Sequence, residues 1–121
     1  PHQQQGIRLQ LASVLKAVIS VRLIRASDGN SRVPAVEILR ATELIRECIL
    51  HPEKTRNIRD AIAKGRSQYG MQTFDQSLHD LHCQGLIAYE EAVLGATHPD
   101  DLKLQLKGLR SGEEVAHAGK P

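Results

Sequence analysis

The apolar positions along this chain change their period twice. Over residues 2–17, Ile7, Leu11, Val14, Leu15 and Val18 share one stripe while Gln3, Gln4, Gln5, Arg8 and Lys16 lie elsewhere. That spacing predicts an amphipathic helix. From Val18 to Ile24 the period drops to two, with Ile19, Val21 and Leu23 alternating with Ser20 and Arg22. The run "SDGNS" at 27–31 marks a turn, because Gly and Asn tolerate positive φ. A second β-rich run follows from Val33 to Leu39, so residues 18–39 read as a β-hairpin, with Pro34 at a strand start or on an edge. A lone two-stranded hairpin is marginal in water. Either helices cover it, or it belongs to a larger sheet.

The remainder predicts helices. "TELIRECIL" (42–50) starts on a Thr42 cap and stops before His51-Pro52, where the pre-proline residue resists the helical region. Residues 55–64 place Ile58, Ala61 and Ile62 on one face and end at Gly65, read as a C′ residue. In "YGMQTFDQSL" (69–78), Thr73 to Gln76 fits a capping box, and Phe74, Leu78 and Leu81 follow at i, i+4, i+7 up to Gly85. A short helix is expected over 89–95. The segment "HPDDLKLQLKGL" puts Pro99 at the first helical position, with Asp100 and Asp101 in the first turn. Residues 110–121 lack apolar periodicity and read as a flexible tail. The fold class predicted is mostly α with a β-hairpin.

With 2% aromatic residues and no Trp, the core must be built from Leu, Ile, Val and Ala. The charge is +2, from 16 basic and 14 acidic residues with the signs interspersed. Neither a basic stripe nor stacking aromatics is present, so nucleic acid is not an expected partner. No apolar run approaches the roughly 18 residues of a membrane span, and no signal peptide is visible. Two Cys do not form a disulfide framework, and a cytoplasmic location is the expectation. The start at Pro1 rather than Met reads as a cut from something longer.

Candidate chemistry is sparse. Gly119-Lys120 is followed by Pro121, so the chain has neither a P-loop nor a G-x-G-x-x-G run. Cys48, His51, His79, His82 and Cys83 are the candidate metal ligands, but they sit on separate helices. Cys48 reads better as a small buried residue and His79 and His82 as solvent-facing, so no metal is expected. His82 and Cys83 point about 100° apart on a helix and make a poor nucleophilic pair. In "LIRE", Leu44 and Ile45 read as buried, with Arg46 and Glu47 solvated.

Six segments occur together in order: "HQQQGIRLQLASVLKAVISVRLI", "GNSRVPAVEIL", "LIRE", "YGMQTFDQSLHDL", "GLIAYEEAV" and "HPDDLKLQLKGL". Over residues 2–109 they resemble the C-terminal part of the type IV pilus retraction ATPases, the PilT family of the secretion-ATPase superfamily. The resemblance favours the retraction branch over the assembly branch. It implies the C-terminal half of a RecA-like α/β ATPase domain plus a helical subdomain. On that reading, residues 1–39 end the RecA-like core, 40–109 form the helical subdomain and 110–121 the tail. It further implies a parent that is a homo-hexameric motor using ATP and Mg²⁺, peripheral to the inner membrane, where it meets the pilus platform.

The family's nucleotide-binding boxes precede "HQQQ", so no catalytic residue is expected here, and the chain alone is expected to bind neither ATP nor Mg²⁺. Coupling or interaction roles carry over to Arg46, Glu47, Gly70, Met71, Gln72, Thr73, Asp75 and Gln76. One departure stands out: the stretch before "LIRE" is about four residues shorter than in the family, close to one helical turn. The alternatives are a pilus-assembly or type II secretion ATPase fragment, or an independent helical interaction module.

Overall fold

The computed structural model describes the backbone of residues 2–118 and the side chains of residues 3–108. The elements are α1 (His2–Val14), β1 (Ala17–Arg25), β2 (Arg32–Arg40), α2 (Glu43–Leu50), a 3-10 turn (Pro52–Asn57), α3 (Ile58–Lys64), α4 (Arg66–Tyr69), α5 (Phe74–Cys83), α6 (Tyr89–Gly95) and α7 (Pro99–Ala118). β1 and β2 pair as a hairpin. The chain divides into two compact units, Pro1–Val21 with Val36–Thr73 and Arg22–Ala35 with Phe74–Pro121. Each has its own core.

In the first unit, the core joins Ala12, Ile45, Ile49, Ala61, Ile62 and Met71, with Leu15, Leu39, Leu50 and Ile58 packed against it. α2 supplies Ile45, Cys48 and Ile49, which share one face at i, i+3, i+4. Burying one such Ile contributes about 1.5–3 kcal/mol. The Thr42 hydroxyl accepts the N–H of Ile45 at 3.4 Å, and His51, before Pro52, ends the helix in an extended conformation. Gln72 pairs beside β2 as an isolated antiparallel bridge, since it and Ile38 exchange backbone hydrogen bonds at 2.8 and 3.1 Å.

Three expectations change in this unit. The stripe of α1 is not its buried face: Ile7, Leu11 and Val14 are exposed, while Ala12 is 4% exposed. The reason is close helix packing, because a small residue lets α1 approach α2, where Arg8 Nη1 donates to the Ile49 carbonyl at 3.0 Å. Leu44 is exposed, since an inward face at 45, 48 and 49 turns position 44 to solvent. Gly65 has φ −82 and is no left-handed cap. A Cβ there would collide with the methyl of Met71 and come within 3.2 Å of the Ala61 carbonyl. A side chain here would have to displace the end of Met71.

In the second unit, Ile24, Ala35, Phe74, Leu78, Ile87, Ala92, Leu102 and Leu106 form the core. The hairpin tip is shaped by Asp28, whose Oδ1 accepts the N–H groups of Asn30 at 2.8 Å and Ser31 at 3.0 Å, with Gly29 at φ +77. These bonds hold the Asp28 carboxyl below its ordinary range, Asn30 contributing most. α5 buries Phe74 and Leu78 and closes in a Schellman arrangement: Gly85, at φ +77, donates to the His82 carbonyl and Leu86 to that of Leu81. Ser27 N–H and hydroxyl donate to the Leu86 and Gly85 carbonyls, both at 2.9 Å, fastening the tip to this turn. α7 begins at Pro99 and its backbone stays helical through Ala118, over residues read as tail. Residues 119–121 lie outside the described part.

Candidate functional site

The expected coupling residues fall in both units. Arg46 and Glu47 stand on the solvent side of α2. Arg46 Nη1 lies 3.1 Å from Glu43 Oε1, and Arg46 is half-buried. Glu47 Oε2 lies 3.5 Å from His51 Nε2 and 3.7 Å from Lys54 Nζ, while His51 Nδ1 is 3.7 Å from Glu53. Charge therefore alternates along α2 and into the 3-10 turn. Exposed pairs of this kind contribute about 0–1 kcal/mol, so they can exchange partners at little cost to the fold.

The second group is built into its surroundings. Gly70 takes φ +68 and donates to Arg66, closing α4 in a conformation that favours glycine. Met71 is 2% exposed and fills the core against Gly65. Gln72 adds to its bridge with Ile38 a side-chain bond, Nε2 to the Val36 carbonyl at 2.7 Å. Thr73 is buried. In the other unit, Gln76 is half-buried on α5. The Asp75 carboxylate accepts the N–H groups of Thr97 at 2.7 Å and His98 at 2.8 Å, just before α7. Two of the eight residues, Arg46 and Glu47, thus present charge to solvent on a helix face, and Gly70, Met71, Gln72 and Asp75 are occupied in shaping backbone and core.

Sequence reasoning missed Arg22, whose guanidinium lies 4.0 Å from the centre of the Phe74 ring and donates to the Gly95 carbonyl at 3.1 Å. Its place in a polar/apolar alternation gave no sign of this. Cys48 is buried, as its residue type suggested, and Cys83 is exposed beside His79, with Sγ 3.8 Å from Nδ1. His82 is less open than expected: its Nδ1 lies 3.0 Å from the Ile87 carbonyl and its ring meets Tyr89 edge-on. Among the described residues, no group of three or more His, Cys, Asp or Glu could hold a metal ion, and no helix is long and apolar enough to cross a membrane.

No protein-family model matches the chain. It is 36% identical over 122 residues to the type IV pilus ATPase PilU of Pseudomonas aeruginosa, a match covering 97% of this chain and 30% of that protein. A twitching motility protein of Neisseria gonorrhoeae is 41% identical over 90 residues, covering 74% and 24%. The crystal structure of the pilus retraction motor PilT with bound ADP superposes with a TM-score of 0.65 at 31% identity, covering 84% of this chain and 27% of that one. The chain belongs to the PilT-like type IV pilus ATPases. It spans no more than about a third of the length of those PilT-like relatives, at 30% and 24% of the two sequences. In this chain "YGMQTFDQSL" builds structure, since Gly70, Met71, Gln72 and Asp75 each satisfy a backbone or packing need.

Proposed function

We propose that this chain is the C-terminal part of a hexameric motor that hydrolyses ATP with Mg²⁺ to retract type IV pili. The match to PilU along 97% of the chain carries this reading. The fold likeness to a retraction motor supports the retraction branch. The hairpin and helices would complete a RecA-like domain begun earlier in the parent. The nucleotide would be held there, because phosphoryl transfer needs a phosphate cradle, a Lys and Mg²⁺ ligands, and the chain carries no P-loop.

In this reading Arg46 and Glu47 transmit motion to a neighbour or to the pilus platform at the cytoplasmic face of the inner membrane. Gly70, Met71, Gln72, Thr73, Asp75 and Gln76 keep their own units rigid enough to do so. Deleting the gene tests the proposal. Loss of twitching with pili still on the surface is the expected result, and loss of the pili themselves would indicate an assembly ATPase. The purified natural-length protein should hydrolyse Mg-ATP and sediment as a hexamer.

A further inference from the structure

Three chain junctions meet at one end of the first unit. The N–H of Ala41 donates to the Lys16 carbonyl at 2.9 Å, setting the start of β1 beside the end of β2. Arg40 Nη1 donates to the Tyr69 carbonyl at 3.0 Å, tying the end of β2 to α4. Tyr69 and Met71 both donate to the Gly65 carbonyl, at 2.9 and 3.3 Å. Between these junctions lies an open groove of about 850 Å³.

Its lining includes three exposed cations, Lys16, Arg40 and Lys64, together with Leu44 and Tyr69. Leu44 is 58% exposed, so its side chain is open to a ligand in the groove. Neither lysine ammonium has a carboxylate partner among the described residues. Glu43 is the one acid on the lining, against three cations, and it pairs with Arg46 at 3.1 Å. The lining therefore combines a net positive charge with apolar side chains.

The start of α2 at this groove does not form a phosphate cradle. Thr42 Oγ1 takes the Ile45 N–H, and Glu43 sets a carboxylate in the first turn, where it opposes a dense anion. A chain bearing separated carboxylates and an apolar side chain satisfies both features. We propose that this groove docks an acidic segment of a partner protein. Its carboxylates would meet Lys16, Arg40 and Lys64, and an apolar side chain would rest between Leu44 and Tyr69. The inference concerns residues other than Arg46 and Glu47 and stands whether or not the parent retracts pili.

Fluorescence anisotropy with a labelled synthetic peptide of alternating Glu and Leu, titrated with the natural-length protein, reads the docking directly. Saturable binding is expected that weakens as salt rises above about 150 mM, because these exposed charges are open to screening. Lys16→Glu with Lys64→Glu should weaken it by roughly tenfold or more, and so should Leu44→Asp. Thermal melting should show these exposed substitutions to be folded. Equal binding by the double variant, or by a peptide with Lys in place of Glu, overturns the proposal. Displacement of the peptide by equimolar pyrophosphate also overturns it, by revealing a phosphate site. ATP hydrolysis in the same preparations separates the two readings. Lost peptide binding with intact hydrolysis in the variants supports the groove. A wild-type protein that binds peptide but does not hydrolyse ATP supports the groove and removes the motor.

Discussion

Asp75, at the start of α5, accepts the backbone N–H groups of Thr97 and His98 with its two carboxylate oxygens, at 2.7 and 2.8 Å. One side chain thus pins the two residues that lead into a helix beginning more than twenty residues later. Asp75→Ala should cost about 1–2 kcal/mol, because one partly buried donor, the Thr97 N–H, and one exposed donor, that of His98, lose their charged acceptor. Asp75→Asn, which keeps one acceptor oxygen, should cost less. Urea unfolding of both variants checks the order, and equal stability would show that solvent replaces the carboxylate.

Gly65→Ala should destabilise by about 1–3 kcal/mol through overpacking, since the added methyl meets the end of Met71. The backbone at φ −82 adds no strain of its own. Adding Met71→Ala should remove the collision and leave a cavity, so the double variant should lose less than the two single losses added together. A strictly additive result in a double-mutant cycle would place the need for glycine elsewhere.

Arg46→Ala and Glu47→Ala should each shift stability by no more than about 0.5 kcal/mol, in keeping with exposed surface pairs. Twitching, read as colony spreading, should fall sharply in both. Normal spreading in the two variants would remove these residues from the coupling role, and a large drop in melting temperature would assign them to the fold instead.

Asp28 ties the hairpin tip to pH. Its carboxyl is held below the ordinary value of 3.8, chiefly by the Asn30 N–H and then by the Ser31 hydroxyl and N–H. A lowered folded value means that the bonds stabilise the tip fully above the unfolded value and are lost as pH falls through the folded one. The amide resonances of Asn30 and Ser31 should therefore titrate together with a midpoint below 3.8. Asp28→Asn should abolish that step. A midpoint at or above the ordinary value would contradict the turn geometry.

Helix positions and the hairpin were legible in the chain because local signals set them. Thr42 and Pro52 bound α2, Gly85 closes α5, and "SDGNS" bends the hairpin. Burial was legible only where a stripe had a partner within the described residues. The alternation at Ile19, Val21 and Leu23 was read correctly as a strand, yet all three are exposed. Periodicity reports which residues lie on one side and leaves open what covers that side. The roles of Asp75 and Arg22 were invisible for another reason: their partners lie 22 and 73 residues away. "YGMQTFDQSL" was one of the six segments that carried the family resemblance, but the left-handed Gly70 that closes α4 and the bridge from Gln72 to Ile38 depend on the folded chain.

The division of the hairpin between two units bears on how the chain emerges from the ribosome. The first core closes once Met71 is available, joining it to Ala12, Ile45 and Ile62. The second core sets Ile24 and Ala35 against Leu102 and Leu106, so it waits until nearly all of this segment has been synthesised. At about 5–20 residues per second, the apolar side chains of the hairpin tip would stand in water for seconds before Phe74 and its successors arrive. Nascent chains stalled with Leu102 and Leu106 still inside the ribosome should therefore bind holdase chaperones more than chains in which both have emerged. Translation speed across α5 to α7 would then influence how much of the protein reaches its folded state.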